Sequence, residues 1–182
     1  MEVMEAIKNR RSIRKYKTDP VDDMALETVM EAARLAPSWS NTQCWEFIVV
    51  RDSGIRGKLA DTLNDTNSAL DAVRYAPLVI VACAELGKSG YHDGVPGTDK
   101  GDWFMFDVAL AMHNLVLAAQ ALGLATVYVG LFNAKEVAKI LDVPQGHCAV
   151  AMTPLGYPDQ ERNPRPRKEL SEIVYYDKWG NK

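Results

Sequence analysis

Residues 103–122 read WFMFDVALAMHNLVLAAQAL, and the fold is decided by how this stretch is read. A surface helix carries one apolar stripe, whereas this segment is apolar nearly all round, so the spacing predicts a buried helix over 103–122. Its length reaches that of a membrane span, but Asp107, His113, Asn114 and Gln120 interrupt it and favour burial inside protein. In a chain of 182 residues, covering every side of such a helix points to a second subunit on one of them. The expectation is a layered domain built around this helix.

Working outward, Gly123 ends the helix and ATVYVG, residues 125–130, reads as a strand. On the other side lies a glycine-rich loop over 86–102 that also contains Pro96. A loop of that length is usually functional, and this one is a candidate substrate lid. Before it, LVIVACA (78–84) is β-branched and apolar on both faces, the mark of a central strand. FIVV (47–50) and 149–152 are further strands, and helices are expected at 3–9, 24–36, 53–63 and 134–141. In the second of these Leu26, Val29, Met30 and Ala33 recur at helical spacing before Pro37 stops it. The tail, YPDQERNPRPRKELSEIVYYDKW, looks extended and suited to packing on something other than its own globule. No repeat or boundary divides the chain. The reading is a single domain over 1–182, of α+β class, in three layers α/β/α with a central mixed sheet.

A net charge of −3 argues against bulk binding of nucleic acid, so any anion site must be local. Two local clusters exist. In an extended RRSIR segment, Arg10, Ser12 and Arg14 share one face, a match for a phosphate monoester. The alternatives are a solvated basic surface or a DNA-contacting arm. The second cluster is Arg165, Arg167 and Lys168, which Pro-Arg-Pro-Arg holds extended. Gly87-Lys88-Ser89 imitates a phosphate loop, but Ala82 stands where the pattern needs glycine. No GxGxxG opens a helix. His92, His113 and His147 lack metal-ligand spacing, and Cys44, Cys83 and Cys148 are an odd number without CxxC. No metal site and no nucleophile–base pair is expected. An anion site with little acid–base machinery suits chemistry carried by a cofactor. The N-terminus has no apolar signal core, so a cytoplasmic protein without membrane or nucleic-acid partners is expected.

Taken together and in order, IKNRRSIRKY, APSWSNTQCWEFIVV, GLATVYVGLF and the basic tail resemble the nitroreductase family of FMN enzymes. The resemblance implies an intertwined homodimer with FMN at the subunit interface and residues 165–182 packed on the partner subunit. It assigns Arg10, Ser12, Arg165 and Arg167 to the FMN phosphate and ribityl end, Arg11 chiefly through its backbone, and Arg14 to a position near flavin N1 and O2. Pro37, Ser38, Trp39, Asn41 and Gln43 resemble a loop reaching the FMN of the other subunit. Tyr128, Val129, Gly130 and Leu131 resemble the segment passing the ring, with Gly130 permitting close backbone approach. Cys44 departs from the family pattern, which has proline there. The implied activity is ping-pong transfer of hydride from NADH or NADPH through FMN to a nitroaromatic, quinone or activated alkene. A flavin-binding module without turnover, and flavin-cleaving or dehalogenating relatives of the same fold, are the alternatives.

Overall fold

The computed structural model describes all residues, Met1–Lys182. Helix α1 (Val3–Asn9) is followed by the extended basic segment and by α2 (Asp23–Arg34). The Asp22 carboxylate accepts from the Ala25 N–H at 2.9 Å and starts α2 as a side-chain cap. A tight turn over Trp39–Asn41 leads into β1 (Trp45–Val50), then α3 (Ser53–Ala60), α4 (Leu70–Tyr75) and β2 (Leu78–Glu85). The long loop contains a small hairpin, β3 (Tyr91–His92) with β4 (Val95–Pro96). Helix α5 (Phe104–Ala121), β5 (Ala125–Thr126), α6 (Ala134–Ile140), β6 (His147–Gly156) and α7 (Leu170–Ile173) complete the chain.

The main sheet has the order β1-β2-β6-β5, with every pair antiparallel. Its mixed character is confined to one parallel bridge, Ser12 to Thr126, which ties the basic segment to the sheet edge. Strand β2 is buried along LVIVACA, as its two apolar faces require. Its side chains alternate between layers. Val79, Val81 and Cys83 join Leu59, Val73 and Val137 from α3, α4 and α6. Leu78 and Ile80 meet Val29, Ala33, Leu115 and Ala119 from α2 and α5, while Ala82 and Ala84 meet Val108 and Met112 of α5. Period-two alternation thus gives the three layers.

Two local expectations change, and one helix is additional. The strand expected over 125–130 is interrupted: Val127 and Tyr128 leave the ladder and Val129 rejoins it opposite Met152, so only Ala125–Thr126 is a regular strand. The short helix α4 carries no side-chain cap, so its sequence gave no start signal. The tail is extended except at α7, where the Glu169 N–H donates to Glu172 Oε2 at 2.8 Å and nucleates one turn. Helix α5 is long and apolar enough to cross a membrane by composition, yet it packs against α2 and the sheet, burying Val108, Met112, Leu115 and Val116. At its N-terminal end Met105 and Phe106 are more than half exposed.

Candidate functional site

The basic segment folds as its alternation requires. Ile13 is buried and its N–H donates to Thr126 O at 3.0 Å, which turns Ser12 and Arg14 outward. They line a cleft of about 610 Å³ with Lys8, Arg10, Arg11, Arg162, Asn163, Arg165 and Arg167. The two cationic clusters therefore converge, and no carboxylate lines the cleft. Arg11 lies there too, but its guanidinium donates to Lys8 O at 2.6 Å and Arg10 O at 2.9 Å, bracing the backbone. The Arg14 guanidinium is held below its ordinary pKa, first by burial and then by repulsion from Arg162 and Arg165, with Tyr16 opposing. Buried Nε atoms of Arg11 and Arg14 have no hydrogen-bond partner within the chain. Crowded guanidiniums with unused donors are chemically matched to a multivalent anion.

A second cleft, of about 350 Å³, is lined by Tyr128, Val129, Gly130 and Leu131 on one side and Thr66, Asn67, Ser68 and Ala69 on the other. Arg14 lines both clefts and joins them. The Asn67 amide donates to Leu131 O at 3.2 Å, bridging the two walls. The Tyr128 hydroxyl donates to Met112 O at 3.3 Å, and burial pushes its pKa up to about 12. A Cβ at Gly130 would meet nothing of the chain within 4 Å. Glycine is therefore not demanded there by the protein's own packing; it keeps the cleft mouth open.

The loop residues Pro37, Ser38, Trp39, Asn41 and Gln43 line neither cleft. They form a strained turn in which Ser40, Asn41 and Gln43 have φ of 45°, 57° and 48°. Non-glycine residues in this region cost about 1–3 kcal/mol each and gather at functional sites. The Gln43 N–H donates to Ser38 Oγ at 2.9 Å, and the Gln43 amide donates to Asn41 Oδ1 at 3.3 Å. Cys44 is buried, and its thiol points at Asp107, with Sγ 3.8 Å from the carboxylate. Burial and the Asp107 charge push the thiol pKa up to about 12, so it is an inert donor and not a nucleophile.

Three residues escaped the reading of the sequence. Arg162 lies three positions before Arg165, but its convergence on the first cleft is tertiary. Asn67 sits in a polar turn without motif. Asp107 stood out only as a charge in an apolar helix, and its partners lie on two distant loops. No group of three His, Cys, Asp or Glu side chains is placed to hold a metal.

This architecture, a three-layer α+β domain with a cationic cleft joined through Arg14 to a second cleft beside a kinked edge strand, defines a class of anion-binding α+β domains. Residues 7–74 and 58–157 match the Nitroreductase family, and the chain belongs to it. A nitroreductase family protein from Clostridium novyi NT has 34% identity and a TM-score of 0.80, covering 100% of this chain and 97% of its own. The 5,6-dimethylbenzimidazole synthase of Rhodospirillum rubrum is 32% identical over 88% of this chain and 83% of its own length. The FMN reductase [NAD(P)H] of Bacillus subtilis is 25% identical over 99% of this chain and 75% of its own.

Proposed function

We propose that this chain is a cytoplasmic, homodimeric, FMN-dependent oxidoreductase that passes hydride equivalents from NADH or NADPH to a small organic acceptor by a ping-pong mechanism. The observation that carries the reading is Arg14, shared by a cationic cleft and a second cleft walled by residues 66–69 and 128–131. A ligand that fits both has a phosphate at one end and a flat heteroaromatic system at the other. The family membership and the name of the Bacillus subtilis relative support FMN in that place.

In this reading Arg10, Ser12, Arg165 and Arg167 bind the phosphate, with Arg11 bracing the backbone between them. Arg14 sits at the joint, a fixed cation where negative charge develops on reduction. Residues 128–131 lie along the ring and Asn67 presents an amide opposite. Pro37, Ser38, Trp39, Asn41 and Gln43, which line neither cleft of their own chain, serve the site of the partner subunit. FMN, when bound, supplies the hydride chemistry, and the protein supplies orientation, charge and water exclusion. No side chain acts as nucleophile.

The purified protein should show a flavin visible spectrum that bleaches with NADH or NADPH under anaerobic conditions and returns on adding a quinone or nitroaromatic. A colourless protein that neither takes up FMN nor oxidises NAD(P)H would overturn the reading. A second reading, consumption of flavin itself, is the flavin-cleaving alternative that the family resemblance of the sequence also implies. The same titration separates them: full return of absorbance over repeated cycles fits a reductase, and progressive loss in air fits consumption.

A further inference from the structure

Asp107 is fully buried on α5 and makes no salt bridge. An unpaired buried carboxylate is costly unless hydrogen bonds satisfy it. Here the donors come from two separate segments. Trp39 N–H donates to both oxygens at 3.0 and 3.2 Å, and Thr42 Oγ1 (3.5 Å) and Cys44 Sγ (3.8 Å) approach Oδ2 from the same loop. The fully buried Ser89 donates its hydroxyl to Oδ2 at 2.6 Å from the glycine-rich loop. A second, independent link joins the same two segments. The Trp39 ring lies 4.7 Å from the His92 ring, and a Cβ at Gly97 would come within 3.3 Å of Trp39 Cζ2. Trp39 is thus gripped at its backbone by Asp107 and at its ring by the hairpin.

We propose that Asp107 is a positioning residue that locks the 38–44 turn and the 87–103 loop into one unit, fixing the wall against which the electron acceptor is selected. The catalytic consequence rests on the flavin reading above; the locking itself does not. The Ser89 link holds the hairpin over Trp39, and the Trp39 link holds the strained turn. Losing the first frees the hairpin alone, and losing Asp107 frees both.

The test uses the full-length protein as purified, with Asp107→Asn and the milder Ser89→Ala. Amide exchange is followed without added ligand, and kcat/KM is measured for a small quinone and a bulky nitroaromatic. In Asp107→Asn, exchange should quicken in 39–45 and 87–103 together; in Ser89→Ala it should quicken in 87–103 only. The ratio of the two kcat/KM values should shift by at least about fivefold in both variants, the lower end of coupling between sites. A merely destabilising substitution lowers the active fraction and scales both acceptors equally. Quickening in one segment only in Asp107→Asn, or none in either variant, overturns the lock. Segments that quicken as expected with an unchanged acceptor ratio overturn the selection role. If no flavin binds and NAD(P)H is not oxidised, the flavin reading fails, while the exchange results still decide the lock.

Discussion

Arg14 is where the two clefts meet, and substituting it tests the shape of the site. A guanidinium that contacts only a phosphate matters for FMN and not for riboflavin; one at the joint matters for both. Arg165→Gln should weaken FMN binding about 10- to 100-fold, the size of a lost charged hydrogen bond, and leave riboflavin unchanged. Arg14→Gln should weaken both, as read by quenching of flavin fluorescence. Cys44 gives a second residue-scale prediction. Cys44 and Cys83 have thiols held above their ordinary value of 9.0, chiefly by burial, and the Tyr128 hydroxyl is raised for the same reason. Raised pKa values mean that the unfolded chain releases these protons first as pH rises. The native state therefore holds more protons, and its stability is fully present below about pH 9 and falls toward about pH 12. Urea midpoints should decline steadily over that window, and a flat profile would contradict the burial of these groups.

Elements differ in how much of them the sequence displays. LVIVACA announced a central strand because apolar, β-branched residues on both faces have no other economical place, and β2 is that strand. Helix α5 was legible for the same reason. The basic segment was legible because alternation is a local property: Ile13 turns in, Ser12 and Arg14 out. What stayed hidden depends on tertiary approach. Arg162 reaches Arg14 only because the chain after β6 returns to the sheet edge, where Tyr16 pairs with Pro158. The use of Asp107 needs two loops, centred on Trp39 and Ser89, that are far apart in sequence. A close approach of the same kind sits at the end of β6. A Cβ at Gly156 would lie 2.6 Å from Pro77 Cδ, a rigid ring that cannot turn aside. Gly156→Ala should therefore cost about 1–3 kcal/mol, the usual penalty of overpacking, seen as a lower urea midpoint with an unchanged slope. A neutral result would show that the β2 entrance yields more than a packed core should.

At the scale of the whole molecule, the unexplained surface is apolar. Met105 and Phe106 stand exposed on α5, and the tail carries Leu170 at 73% and Trp179 at 89% exposure. The tail holds itself together only locally, by α7 and by Tyr175 stacked on Trp179 at 4.7 Å. Side chains this apolar, left in water at two places, fit a chain that associates with its own copy through α5 and clasps it with the tail. The full chain should sediment at about twice 20.2 kDa. Deleting 165–182 would remove the clasp but also Arg165 and Arg167, so loss of flavin there would be ambiguous. The discriminating variant is Leu170→Ser with Trp179→Ala, which keeps both arginines. Buried tryptophans at interfaces carry about 2 kcal/mol or more, so this variant should weaken dimerisation at least about 30-fold. If the 38–44 turn serves the partner's site, FMN affinity must then fall with dilution in step with dissociation. Flavin retained by the separated monomer would place that turn outside the site and leave the two clefts of a single chain sufficient.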